Sequence, residues 1–278
     1  MRIAHVTDLH LLEHDHHRRT TAGRARLVFL GLGRTVDAFD RYDRALYAIR
    51  GALARNPDHL LVTGDLTEDG DDAQFAVLAD VLREAGADPA TTTLVAGNHD
   101  AYTRIDAFER ALGGALRAYA RTSTPGTVVV RGDVAIAAVS TVMQQPLVRS
   151  AGVITRNQVA ALEAAIVDAP AERTWVLAMH HGPWSEHFLL GTWIDGLLGQ
   201  EHLVGLFSRC DNAFAVHGHT HKCATTAIAR GRFPQILCAE AVVESAAPVR
   251  LYLAGAGMLI PCSEPATQTR LSVVPAAA

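Results

Sequence analysis

The sequence predicts a layered α/β core. Two observations carry this. Short apolar runs of strand length alternate with longer stretches of helical period, the pattern of a sheet covered by helices. Several of the apolar runs also stop abruptly in polar side chains behind a glycine or threonine. The segment "LVAGNHDAY" (Leu94–Tyr102) is one example, with Asn98, His99 and Asp100 side by side.

Taken in order, strand-like runs occupy Arg2–Thr7, His59–Thr63, Thr92–Ala96, Thr127–Val130, Val134–Ser140, Thr174–Met179 and Ala213–Val216. Helical patterns lie between them. In "YDRALYAIRGALARN" (Tyr42–Asn56), Ala45, Leu46, Ile49 and Leu53 form one stripe. "DAQFAVLADVLREAG" ends at Gly86, a helix stop. "TRNQVAALEAAIVDAP" opens on Thr155 as an N-cap and has Pro170 beyond its end. Short paired strands follow at Ala224–Ala229, Gln235–Ala239 and Val249–Ala254, with a further one near Met258–Ile260. No internal repeat or long linker interrupts residues 1–278, and one domain is expected. The segment 13–41 is the least regular and reads as an insertion over one edge.

Composition bounds the function. Of the 278 residues 49% are hydrophobic and 19% charged, enough to bury a sizeable core. No apolar run reaches the roughly 18 residues of a membrane span. The N-terminus enters a strand without a secretory h-region, so a cytoplasmic location is expected. The net charge of −4 argues against a broad nucleic-acid footprint. Locally, Arg18 to Arg50 contains eight arginines against Asp37, Asp40 and Asp43. Lys222 is the single lysine, so arginine serves as this chain's general cation. Either a solvated face or part of a substrate mouth fits that run, the former being commoner. Cys210, Cys223, Cys238 and Cys262 form no C-x-x-C pair and read as free thiols, although Cys223 lies two residues after His221.

Five polar clusters follow five strand-like runs: Asp8 and His10; Gly64 and Asp65; Asn98, His99 and Asp100; His180 and His181; and His219 and His221. Each alone could be a turn or a satisfied buried histidine. In an open α/β sheet, however, ligands gather beyond the carboxyl ends of the strands. Five such ends in one sheet would converge on a single site. Carboxylate, imidazole and amide oxygen suit Mn, Fe or Zn. Two divalent ions bridged by a carboxylate can engage both the attacking and leaving oxygens of a phosphoryl displacement, and would cancel the net charge of −4. Gly97 and Gly218 let the backbone turn close to such ions.

The order D-x-H, GD, GNHD, H-H-x-P, GHTH over residues 5 to 221 resembles the calcineurin-like metallophosphoesterase superfamily, and within it the class III cyclic-nucleotide phosphodiesterase branch. The resemblance implies a four-layer αββα sandwich with two central sheets. It implies one ion held by Asp8, His10, Asp65 and His221, and a second held by Asp65, Asn98, His180 and His219. His99 would stand unligated beside the scissile phosphate, and Asp100 would brace its loop. Pro183 lies three positions after His180 rather than two, which makes His181 the substitute ligand. Glu68, at the fourth position of the GD motif, would either orient His99 or face solvent.

The expected activity is phosphodiester hydrolysis by in-line attack of a metal-bound hydroxide, with 3′,5′-cyclic nucleotides the first class of small phosphoester substrate. Rival readings are a phosphomonoesterase, a diesterase for lipid head groups or nucleic-acid ends, and a metal-binding scaffold without turnover. Substrate choice is expected in segment 13–41 and in "GPWSEHFLLGTWIDGLLGQ" (Gly182–Gln200), which reads as a lid, a partner surface or ordinary core. Homo-oligomerisation is left open.

Overall fold

The computed structural model describes residues 1–31, 34–183, 189–228, 234–262 and 271–274. The strands are β1 (Arg2–Val6), β2 (His59–Thr63), β3 (Thr92–Val95), β4 (Val128–Arg131), β5 (Val134–Ala138), β6 (Gly152–Val153), β7 (Thr174–Ala178), β8 (Leu197–Leu198), β9 (Ala213–His217), β10 (Ala224–Ile228), β11 (Pro234–Cys238), β12 (Arg250–Gly255), β13 (Met258–Pro261) and β14 (Leu271–Val274). The α-helices are α1 (Thr21–Leu30), α2 (Ala38–Leu53), α3 (Asp72–Ala85), α4 (Ala107–Gly113), α5 (Ala120–Ser123), α6 (Arg156–Val167), α7 (Leu189–Asp195) and α8 (Gln200–Phe207).

Two main sheets form. One is five-stranded, β13-β12-β1-β2-β3, and the other seven-stranded, β14-β10-β11-β9-β7-β5-β4. Their faces sort the apolar side chains into layers. Ile3, Leu61 and Val95 of the first sheet pack against Ile136, Val176, Phe214 and Val216 of the second. The alternate residues Ala4, Val6, Leu60, Val62 and Leu94 point the other way, onto α2, α3 and α4. On the far side Leu177, Ala215 and Ile236 meet Val159 and Ile166 of α6 and Leu203 and Val204 of α8. This is the four-layer αββα arrangement. Burial on both faces explains why β2, β3, β5, β7 and β9 read as unbroken apolar runs rather than alternating ones.

Local chemistry sets the helix ends. The Thr155 hydroxyl accepts from the Gln158 amide, and Gln158 bonds back to the Thr155 amide, a reciprocal cap on α6. Asp71 caps α3, and Gly86 ends it in a left-handed conformation with φ of 78°. Three features differ from the sequence expectation. The segment 13–41 is not irregular throughout: it contains α1, capped by Thr20, and the start of α2, capped by Asp37. The helix expected from Tyr42 therefore begins a turn earlier. Third, the five polar strand ends come from two sheets, with β1, β2 and β3 in one and β7 and β9 in the other. The site lies across the common end of both. Ala229, at the end of one expected strand, falls outside the described residues, as do residues 184–188 of the expected lid.

Among the described residues, no helix is long and apolar enough to cross a membrane.

Candidate metal centre

The structure brings all five clusters together. Strands β1, β2 and β3 are parallel neighbours, so Asp8, Asp65 and Asn98 leave them on one side. Strands β7 and β9 are parallel neighbours in the other sheet and deliver His180, His181, His219 and His221. The ligand-capable atoms of Asp8, His10 and His221 lie within 4.8 Å of one another, as do those of Asp8, Asp65 and His180. The same holds for His10, Asp65 and His99, and for His180, His181 and His219.

The backbone is bent to achieve this. Asp8, His10, Asp65, His219 and His221 all take left-handed φ, between 45° and 69°. They are five of the seven non-glycine residues that do so among the described residues. Each such residue costs on the order of 1–2 kcal/mol, so their concentration at one point marks a site the fold over-determines. Two glycines permit the close approach. A Cβ on Gly97 would stand 2.3 Å from the Asp65 Oδ1, and one on Gly218 would stand 1.9 Å from the Thr7 hydroxyl.

Asp65 occupies the centre. Its Oδ1 accepts the His99 backbone N–H at 2.9 Å. Its Oδ2 is 3.3 Å from His180 Nε2 and 3.7 Å from His10 Nε2. Asp8 Oδ1 lies 3.4 Å from His221 Nε2, while Oδ2 accepts the Thr7 hydroxyl and the His219 N–H. The remote ring nitrogens are held from behind. His180 Nδ1 donates to the Thr63 carbonyl at 2.9 Å, His221 Nδ1 meets Glu244 at 3.0 Å, and His10 Nδ1 faces Glu68 at 3.4 Å. His219 Nε2 donates to the Asp195 carbonyl at 2.7 Å. A carboxylate or carbonyl behind the imidazole, with the other nitrogen aimed at a common point, is the usual setting of a metal-binding histidine.

The residues fit divalent cations. Asp8 Oδ1, His10 Nε2 and His180 Nε2 are buried without a hydrogen-bond partner, an arrangement that costs free energy unless something fills it. Burial opposes the charge on Asp65, yet His180 and His99 beside it hold the carboxyl well below the carboxylate range. Burial would likewise lower His180, but Asp65 outweighs it and lifts that imidazole to about 9. Burial and then Asp8 act in the same opposed senses on His221, also raised to about 9. Burial, with charged neighbours, instead lowers His10 to about 3 and His219 to about 4, so in the metal-free cluster it is His180 and His221 that hold protons, which a bound cation would displace.

His180 and His181 are distinguished by geometry. His180 leaves Nε2 free. Both nitrogens of His181 are engaged: Nδ1 accepts the Thr141 hydroxyl at 2.8 Å, and Nε2 donates to the Ser150 carbonyl at 2.9 Å, with Asn98 Oδ1 at 3.2 Å. Asp100 is buried and accepts from the amides of Leu66, Thr67 and Gly97, tying the loop after β3 to the loop after β2. Burial, with Asp65 nearby, pushes its carboxyl up to about 6.

Glu68 does not face solvent. It is fully buried, and its backbone carbonyl, rather than its carboxylate, receives His99 Nδ1–H at 2.7 Å. The carboxylate is held by Arg34 and Arg41. Arg19 and Arg26 similarly hold the buried Asp69, and Arg19 also reaches Glu13. These four arginines therefore pair with buried carboxylates rather than forming a simply solvated face. They neutralise a buried acidic wall behind the site, while Arg18 stays exposed beside Asp15. Arg41 is 1% exposed and also donates to the His10 carbonyl at 2.7 Å. Its removal leaves Glu68 buried and half-paired, so Arg41→Met should destabilise the metal-free fold by about 3 kcal/mol. Glu68→Gln in the same chain should restore much of that loss. Urea denaturation with chelator present checks it, and an Arg41→Met midpoint equal to wild type would refute the strut.

Sequence reasoning did not find Glu244, Arg34 or Arg41 as supports, because no local pattern links them to His221 or Glu68. Of the expected lid, α7 is described: its Asp195 carbonyl touches His219, and Arg149 Nε donates to the Trp193 carbonyl at 2.6 Å. None of the four cysteines forms a disulfide, and Cys210 and Cys238 are buried.

A probable cyclic nucleotide phosphodiesterase from Rhodopseudomonas palustris is 31% identical over 158 residues, 56% of this chain and 54% of that protein. The chain thus spans about half the length of this curated relative. A dimetal phosphatase crystal structure from Danio rerio superposes with a TM-score of 0.66 at 12% identity, covering 95% of this chain and 99% of that one. The Thermus thermophilus protein TT1561 superposes at 0.52, also at 12% identity, over 94% and 97% of the two chains. Both likenesses concern the fold. The family model described as calcineurin-like phosphoesterase matches residues 1–223, a stretch that holds all five polar strand ends, and the chain belongs to that family.

Proposed function

We propose that the chain is a dinuclear metal-dependent phosphodiesterase, with Asp65 as the bridging ligand. Asp8, His10, Asp65 and His221 would hold one ion, and Asp65, Asn98, His180 and His219 would hold the other. The observation that carries this is the position of the Asp65 carboxylate between His10 Nε2 and His180 Nε2, at 3.7 and 3.3 Å. When bound, two divalent ions supply Lewis acidity at the phosphoryl oxygens and lower the pKa of water.

The protein's own residues do the rest. The Glu68 carbonyl fixes a proton on His99 Nδ1 and so assigns Nε2 to the substrate. Asp100 braces the loop that carries Asn98 and His99. A diester is favoured over a monoester on two grounds. The relative from Rhodopseudomonas palustris is named a probable cyclic nucleotide phosphodiesterase. In addition, Arg34 and Arg41, the arginines behind the site, are committed to Glu68, which suits a substrate of single negative charge.

The test is a panel assayed with Mn²⁺: cyclic AMP, bis(p-nitrophenyl) phosphate and p-nitrophenyl phosphate. The diesters should exceed the monoester in kcat/KM by about tenfold or more. The reverse order would replace this reading with a phosphomonoesterase. Metal binding with no turnover of any phosphoester would make the chain a scaffold module.

A further inference from the structure

Trp193 is 53% exposed, an unusual position for an indole in a folded chain. It is not a loose surface residue. The Arg149 guanidinium lies over its ring at 4.7 Å from the centroid, and Arg149 Nε also donates to the Trp193 carbonyl at 2.6 Å. A side chain stacked on one face and hydrogen-bonded to the same residue's backbone holds the ring in one orientation.

That pair is tied to the candidate metal centre on three sides. The Tyr102 hydroxyl donates to the Arg149 carbonyl at 2.9 Å and receives the Asn98 side-chain amide at 3.1 Å. The Ser150 N–H donates to the Ile194 carbonyl, and the Ser150 carbonyl accepts from His181. Asp195, two residues after Trp193, offers its carbonyl to His219. Below these contacts β6 and β8 pair in parallel, Gly152 with Leu197, and lock the two segments together. The fold therefore uses an array of hydrogen bonds to hold an exposed indole on a segment whose backbone is bonded to the candidate metal centre.

We propose that Trp193, backed by Arg149, is the platform on which the organic group of the substrate stacks, and that this group is a flat aromatic ring of the nucleobase class. The proposal rests on the phosphodiesterase reading and narrows its substrate class. With the guanidinium covering one face of the indole, the open part of the ring is available to a second planar system. An aromatic platform is tolerant of base identity, because every base presents a π-face. The indole itself adds no charge, and the guanidinium behind it polarises the ring.

The test compares ligands that differ only in the base. Calorimetry on the Mn²⁺-loaded protein measures binding of the 5′-phosphonate analogue of AMP and of ribose 5-phosphonate, neither of which is cleaved. Wild type should bind the nucleoside analogue about tenfold more tightly. Trp193→Ala should erase that difference, and Trp193→Phe should keep most of it, with metal content unchanged in both. Cyclic AMP turnover should show about a tenfold higher KM in Trp193→Ala with kcat nearly unaltered. Equal affinities for the two ligands in wild type, or a difference that survives in Trp193→Ala, would overturn the platform. Because the ligands are inert, this binding result stands apart from turnover: a protein that hydrolyses no diester would refute the functional reading instead.

Discussion

Replacing Asp65 by asparagine is expected to empty both metal positions at once. One oxygen of this carboxylate is fixed by the His99 backbone amide, and the other lies between His10 and His180. Asparagine has one oxygen to offer. If that oxygen accepts the His99 amide, the NH₂ group faces the cluster and repels cations. If the amide is flipped, two N–H donors face each other behind it. The negative charge that two ions would share is lost in either case. Supports one shell further out typically change metal affinity by about 10–100-fold, so the loss at the bridge should exceed about 100-fold for both ions. Asp8→Asn is the control. Asp8 touches His221 and the His219 amide and would serve one ion, so its change should weaken chiefly that ion. Elemental analysis of the two purified variants after dialysis decides between them. Two tightly bound ions per chain in Asp65→Asn would remove the bridging assignment, and activity should follow the metal content down.

The residues at the centre were legible in the sequence for a physical reason. A strand buried on both faces has to be apolar throughout, so Asp8, Asp65, Asn98, His180 and His219 stand out where each run ends. The strands themselves were read nearly to the residue, as with His59–Thr63. What could not be read was which sheet each strand joins. Pairing such as β7 with β9 depends on partners far away in the chain, and no local feature of either run separates one sheet from two. The α1 helix was missed because it buries little: of "TAGRARLVFL", only Leu27 and Leu30 are in the core, too few to print a stripe. The supports of the site are similarly long-range. Glu244 reaches His221 from the turn after β11, and Arg41 reaches Glu68 from α2. The run of arginines was visible, but its buried acidic partners, Glu68 and Asp69, become apparent only when the segment folds back over β2. A charge run read as surface is the commoner case and holds for the exposed Arg18, Arg24, Arg44 and Arg50, while the pairing of Arg19, Arg26, Arg34 and Arg41 with buried carboxylates reverses it for the other half of the run.

His99→Asn should separate two roles that the geometry alone leaves joined. The side chain is 11% exposed, close enough to solvent to meet a substrate, and Nδ1 is pinned to the Glu68 carbonyl. The tie from this residue to the metal centre runs through its backbone: the amide donates to Asp65, and that bond survives a change of side chain. Metal content should therefore stay near wild type. An alkoxide leaving group such as the ribose oxygen of a cyclic nucleotide needs a proton as its bond to phosphorus breaks. Loss of a positioned proton donor should slow its hydrolysis by about 10²–10⁴-fold. A p-nitrophenolate departs without that proton, so bis(p-nitrophenyl) phosphate should lose far less. If His99 instead stabilises charge on the phosphoryl oxygens, that charge develops whatever the leaving group, and the two substrates should suffer alike. Turnover of cyclic AMP and of bis(p-nitrophenyl) phosphate by the same metal-replete variant makes the comparison. Unequal losses assign the proton to His99. Equal losses exclude that assignment and leave His99 as an electrostatic stabiliser beside the phosphate.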